Sequence, residues 1–221
     1  MSSKLGGLTF ERLGHASVRI ETDDGRVLYI DPWSDVLDDE PHDGDVVFST
    51  HDDPDHYDPD GIDAVASPNA TVVAYETIDT TALDRDVIEL PYGESVTVGG
   101  IDVEAVPAYN AADGPHVDED GAPFHAESEV VGLLLDIDGT TIYFTSDTDF
   151  LPEHEGIQAD VFIPPIGGHF TMDRHEAAEF AVSVDPDLVL PVHYDTFEAI
   201  ETDAEAFVDD LETREITVDL F

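Results

Sequence analysis

The sequence predicts a layered α/β fold with helices outside two central sheets. Three observations predict it: apolar strand runs come first and helix signals later in each half, the strand runs are rich in β-branched residues, and no regular βαβ beat appears.

The segments LTFERLG (8–14), SVRIET (17–22), RVLYID (26–31) and DVVFST (45–50) alternate or run apolar between Gly, Asp and Pro. A short helix is expected after Asp58. TVVAY (71–75), SVTVG (95–99), IDVEAVPAY (101–109), EVVGLLLDI (129–137) and TTIYFTS (140–146) follow as strands, and Asp138-Gly139 marks a hairpin. DVFIPPI (160–166) and DLVLPVH (187–193) read as short buried strands. Between them, Asp173 with Glu176 predicts a capping box for a helix whose apolar face is Ala177, Phe180, Ala181 and Val184. Thr202 with Glu205 predicts the same for a terminal helix carrying Phe207, Val208 and Leu211. No linker rich in Gly, Ser or Pro divides the chain, so 1–221 is read as one domain.

Composition is dominated by 53 acidic against 7 basic residues, a net charge of −46 on 221 residues. With 41% hydrophobic residues, 11 Phe and 7 Tyr, the chain can nevertheless bury a sizeable core. The acids are spread along the whole length, which favours adaptation to multimolar salt over an acidic partner-binding tail. At about 1 M salt the Debye length is near 3 Å, enough to screen most carboxylate repulsion. The strongest apolar run, VVGLLL (130–135), is far too short to span a bilayer, and no signal-peptide pattern opens the chain. A soluble, cytoplasmic protein is expected, without membrane contact. So few cations also disfavour nucleic acid as a partner. Absence of cysteine leaves any metal to N and O ligands.

The stretch STHDDPDHYDP (49–59) follows an apolar strand and offers His51, Asp53, Asp55 and His56 within six residues. Imidazole and carboxylate suit Zn, Mn or Fe. A solvated acidic loop is the alternative for this stretch taken alone. His125 in APFHAES, Asp147 in TSDTD and His193 in LVLPVHYDTF stand at or beside strand edges, where open sheets gather ligands. Asp52 is a reserve candidate. His42, His116, His154 and His175 lack such a context and read as surface residues.

In order, LGHASVRIE, IDPW, THDDPDHYDP, PAYN, TSDTD, PIGGHFTM and PVHYDTF make the chain resemble the metallo-β-lactamase superfamily, and within it the hydrolases similar to ascorbate-6-phosphate lactonase. The resemblance covers nearly the whole chain and implies a four-layer αββα sandwich with two divalent ions, Zn or Mn or alternatively Fe. It implies His51 and His125 at one ion, Asp55, His56 and His193 at the other, and Asp147 bridging. One departure is clear: Asp53 stands where the family usually has its second histidine. It either ligates and makes the site harder, favouring Mn or Fe over Zn, or leaves the first position weak or empty.

The implied function is hydrolysis of a small ester, lactone or phosphoester by a metal-activated hydroxide, with Asp55 and Asp147 orienting the nucleophile. His169 in GGHFTM is the candidate hydrogen-bond donor to the oxyanion or leaving group, with packing beside Phe170 as its structural alternative. His15 and Asp31 are candidates for orienting ligands or for purely structural hydrogen bonds. Tyr109, Asn110 and Tyr194 are placed between pocket and core, and Arg174 is a candidate contact for an anionic substrate. The rival reading is a non-catalytic binding module with one metal position lost through Asp53; a redox role is disfavoured because no flavin module is attached. The acid-rich surface discourages association in low salt, while related folds often form symmetric assemblies, so a homo-oligomer stays open.

Overall fold

The computed structural model describes residues 2–221 as two stacked sheets. The first contains, side by side in chain order, β1 (Ser2–Leu5), β2 (Leu8–Gly14), β3 (Ser17–Thr22), β4 (Val27–Ile30), β5 (Gly44–Ser49), β6 (Ala66–Tyr75) and β7 (Val87–Leu90). The second is ordered from β8 (Ser95–Val98) through β9 (Ile101–Ala108), β10 (Val130–Ile137), β11 (Thr140–Phe144) and β12 (Val161–Ile163) to β13 (Leu188–Val189). Each sheet begins as an antiparallel meander and turns parallel, from β4 onward in the first and from β11 onward in the second. Asp138 and Gly139 form the two-residue hairpin between β10 and β11, with φ of 54° and 85°, the left-handed pair such a turn requires.

Period-two alternation decides what each sheet buries. Ile142 and Phe144 join the core between the sheets with Phe10, Ile20, Leu28, Phe48, Leu133 and Leu135, whereas Tyr143 falls on the opposite face. There it meets Phe162 and Val189 under α2 (Arg174–Val184) and α3 (Ala204–Glu212), whose Phe180, Phe207 and Leu211 are fully buried. Each such aromatic or aliphatic side chain contributes about 1.5–3 kcal/mol by leaving water. Beside the first sheet, α1 (Pro59–Val65) buries Ile62 and Val65. It comes so close that a Cβ on Gly61 would stand 2.2 Å from the Pro32 carbonyl oxygen, and only glycine fits. The outer layer on this side is therefore one short helix, thinner than the pair on the other.

Several local expectations shift. β1 and β7 were not anticipated; both are four-residue strands at or near the free edges of the first sheet. Asp173 caps α2 through the His175 and Glu176 N–H groups, but the Glu176 carboxylate accepts from the Phe150 N–H instead of closing a box. The cap of α3 is Asp203, not Thr202: the Asp203 carboxylate accepts from the Ala206 N–H, while the Thr202 N–H is donated to Asp195 in the preceding loop.

His116 and His154 are corrections too, since both are buried. The His154 Nδ1 accepts from the Leu151 N–H at 3.2 Å, its Nε2–H donates to the Pro107 carbonyl at 2.7 Å, and its ring lies 5.0 Å from that of Phe180. Burial holds this imidazole below its ordinary pKa and neutral. In the unfolded chain it takes a proton first, so stability should be present above about pH 6.5 and be lost below it, by up to roughly 1.4 kcal/mol per pH unit, until the folded value is passed. Denaturant titrations in KCl at pH 7.5 and 5.5 should show a larger loss in the native chain than in His154→Gln. Equal losses would remove this histidine from the acid response.

Candidate metal centre

One edge of the stacked sheets collects the donors, and the strand directions explain why. The parallel strands β4, β5 and β11 all end there, delivering Asp31, then Thr50 and His51, then Asp147. Strands antiparallel to them begin there, so His15 in the β2–β3 turn and His125 before β10 arrive at the same edge. His193 follows beyond β13, its N–H donated to the His15 carbonyl. The backbone is left-handed at His15, Asp31, Ser146 and His193, with φ of 48°, 46°, 56° and 52°. Such conformations cost a non-glycine residue free energy and cluster at functional sites.

The side chains converge on the Asp147 carboxylate. Its Oδ2 lies 3.2 Å from His193 Nε2, 3.5 Å from His56 Nε2 and 3.6 Å from His125 Nε2. Asp53 Oδ2 lies 3.4 Å from His125 Nε2 and 3.6 Å from His51 Nε2. Three donor groups result: His51, Asp53 and His125; His51, His56 and Asp147; and His15, Asp55, His56 and His193. His51 Nε2, His56 Nε2 and Asp147 Oδ1 are buried without a hydrogen-bond partner, a cost that a cation among them would relieve. The donor set is entirely imidazole and carboxylate, so it fits divalent Zn, Mn or Fe.

The clustered charges shift the ionisable groups in opposite directions. Burial alone would raise the Asp147 carboxyl, but the His193 and His56 rings outweigh it and hold it well below the usual range. His56 is pushed the other way: desolvation opposes its charge, yet Asp147 and Asp31 raise it well above an ordinary imidazole. The Asp53 carboxyl is held low by the His125 and His51 imidazoles beside it. Asp55, against the pull of burial, is held low by its bond from His15. Burial in turn drives His15 down to about 4.

Behind the converging nitrogens stands a layer of fixed partners. Asp31 bonds His56 Nδ1 at 2.8 Å and accepts from the Thr50 N–H and hydroxyl. His15 Nε2 lies 2.9 Å from Asp55 Oδ2 and its Nδ1 lies 3.0 Å from the Thr196 hydroxyl. Thr50 Oγ1 is 3.1 Å from His51 Nδ1. His15 and Asp31 thus hold two of the anticipated ligand residues in place.

Asn110 and Asp149 were missed as a pair. The Asn110 NH₂ donates to Asp149 Oδ1 at 2.9 Å and to the Phe170 carbonyl, which leaves its Oδ1 to accept from the His125 backbone N–H and, at 3.1 Å, from His125 Nδ1. The amide orientation is therefore fixed. So is the imidazole tautomer, with the proton on Nδ1 and the Nε2 lone pair facing Asp53 and Asp147. Asp149 is anchored by His116 at 2.6 Å and by the Ala111 N–H. The PAYN and TSDTD segments were visible in the sequence, but nothing local tied Asn110 to Asp149 across 39 residues.

His116, Asp149 and Glu176 form a further donor group, but the Asp149 oxygens are saturated by hydrogen bonds and none of the three retains an orphaned atom. His169 stands outside all the groups, exposed, with its ring packed 4.3 Å from Phe170 and 5.4 Å from Phe124. Asp52 is exposed and belongs to none. Tyr109 bonds Glu153, and Tyr194 lies beneath Arg12, 3.9 Å from the guanidinium carbon.

Comparison with known proteins decides the family. A family model described as a beta-lactamase superfamily domain matches residues 9–193. The chain belongs to the metallo-β-lactamase superfamily. It is 34% identical over 206 residues to a "UPF0173 metal-dependent hydrolase" of Methanosphaerula palustris, covering 90% of this chain and 89% of that protein. A protein of the same description from Salinibacter ruber is 30% identical over 213 residues, covering 89% and 88%. Among solved structures, a protein described as a metal-dependent hydrolase from Parabacteroides distasonis matches with a TM-score of 0.81 and 27% identity, covering 99% of this chain and 96% of that one. The metallo hydrolase Igni18 of Ignicoccus hospitalis shares the fold, with a TM-score of 0.78 and 23% identity over 97% and 94% of the two chains. Within the superfamily the chain belongs to the UPF0173 metal-dependent hydrolase family. Among the described residues no helix is long and apolar enough to cross a membrane.

Proposed function

We propose that this superfamily member holds two divalent ions, Zn, Mn or Fe, and hydrolyses a small ester, lactone or phosphoester in the cytoplasm of a cell rich in salt. The carrying observation is the convergence of three imidazoles on Asp147, with buried nitrogens of His51 and His56 left unpartnered. His51, Asp53 and His125 would hold one ion, Asp55, His56 and His193 the other, with Asp147 between them. Such ions, when bound, supply Lewis acidity and lower the pKa of water toward neutrality, which provides the nucleophile.

The chain's own side chains do the rest. Asp55, fixed by His15, and Asp147 are placed to accept hydrogen bonds from an attacking water and to aim it. His169, exposed on the rim, is offered to the oxyanion or leaving group. Asn110 and Asp31 keep two imidazoles in one tautomer, so little reorganisation is required on binding.

Elemental analysis of protein purified in multimolar KCl without a metal-affinity tag tests the reading, followed by reconstitution with Zn, Mn or Fe. Two ions per chain with ester turnover support it. One ion or none, with no turnover on esters and phosphodiesters, overturns it in favour of a binding module.

Asp53 has its own test. Its side chain is 52% exposed and spans His51 and His125, so it reaches the ligand position from the solvent side. Asp53→His should raise zinc affinity about tenfold and shift preference away from Mn, read by competition with a chromogenic chelator. Unchanged preference would place Asp53 outside the ligand set.

A further inference from the structure

Among the described residues, Phe197 and Val182 are the large apolar side chains left exposed. Phe197 stands at the site: its ring lies 5.8 Å from that of His15, the partner of Asp55, and 6.4 Å from Phe170. Phe170 lies 4.9 Å from Phe124, which lines a cavity of about 290 Å³ with His51, Asp53 and His125. An aromatic arc thus runs along the rim of the donor cluster from one end to the other. Its volume suits a small molecule.

The charges at the same opening are all negative. Asp52, Asp53 and Glu129 are exposed at the cavity mouth. The cations are committed elsewhere. Arg12 donates to the His15 and Tyr194 carbonyls, while Arg19, Arg26, Arg85 and Arg214 pair with Asp43, Asp138, Asp63 and Glu179. Lys4 lies on the edge strand β1. Arg174, the first residue of α2, is the arginine whose guanidinium has neither an ion pair nor a carbonyl partner among the described residues, so it is the cation an anionic substrate would have to use.

We propose that the site takes an uncharged substrate, an ester or lactone whose apolar chain or ring lies along Phe197, Phe170 and Phe124. This rests on the hydrolase reading and narrows it by setting phosphoesters aside. Hydroxide adds to the carbonyl carbon, the acyl C–O bond breaks, and the leaving alkoxide takes a proton. The acid formed ionises, releasing one proton to solvent, and its new negative charge meets the carboxylates of the mouth, which favours departure of the product.

The test uses the metal-loaded protein in KCl. Trp33 is the only tryptophan and its ring lies 5.4 Å from His15, so its fluorescence reports ligands in the site whether or not they react. γ-Octalactone should change the emission saturably, with octyl phosphate at least tenfold weaker. Because Phe197 is exposed, Phe197→Ala leaves the core untouched, and it should weaken γ-octalactone at least threefold. Octyl phosphate binding as tightly as the lactone, above all if Arg174→Gln abolishes it, would overturn the proposal. So would absence of lactone binding, or indifference to Phe197→Ala. Lactone that binds with these preferences but is never opened would uphold the substrate class while removing the hydrolase reading.

Discussion

Asp147→Ala should abolish binding of both ions and lower kcat/KM for any accepted ester by at least about 10³-fold, equivalent to roughly 4 kcal/mol of lost transition-state stabilisation. Asp147 is the group on which His56, His125 and His193 all converge within 3.6 Å, and its other oxygen has no partner at all. Fold should survive. Removing one member of a buried ion pair is costly when the remaining charge is trapped, but His56 can shed its proton and remain neutral, bonded to Asp31 through Nδ1. The expected loss of stability in the metal-free protein is therefore about 1–2 kcal/mol. Metal content by elemental analysis, beside circular dichroism in high KCl, checks both halves. Retention of two ions would sink the bridging role.

Asn110→Leu should lower metal affinity and turnover by about 10–100-fold although Asn110 itself touches no ion in this scheme. Leucine keeps the volume but removes the acceptor that holds the His125 Nδ1–H and backbone N–H, and the donor that satisfies Asp149. The imidazole is then free to rotate or to change tautomer, and the lone pair at Nε2 is no longer guaranteed. Stability of the metal-free chain should also fall, by about 1–3 kcal/mol, because buried partners are stranded. The informative comparison is metal affinity measured in KCl at a temperature where the variant remains folded. Affinity equal to that of the native chain would make Asn110 a structural residue only.

Much of the site was legible because its chemistry is concentrated in short segments. His51, Asp53, Asp55 and His56 lie on one loop, and Asp147 and His193 follow short apolar strands whose direction carries them to one edge. The Asp138-Gly139 turn was equally plain, since its two left-handed residues have few substitutes. What escaped was settled over long separations. His154 is buried through Pro107, 47 residues away, and His116 through Asp149, 33 residues away, so an isolated histidine in the sequence gave no sign of either. The α3 cap moved by one residue because the Asp203 carboxylate is the side chain that reaches the Ala206 N–H. β1 and β7, four residues each, are too short to show a period of their own.

The donor set is divided between the two sheets. His51, Asp53, Asp55 and His56 hang from the first, and His125, Asp147 and His193 from the second. Neither half of the chain carries a complete set, so affinity for the ions exists only after the sheets have docked, and sliding one against the other would pull the set apart. Across that seam the Thr50 and Ser146 hydroxyls meet at 2.7 Å, and His193 is tied to the His15 carbonyl. Ions held there would act as a clasp on the finished sandwich, stabilising it by RT ln(1 + [M]/Kd) and leaving the unassembled halves unrewarded.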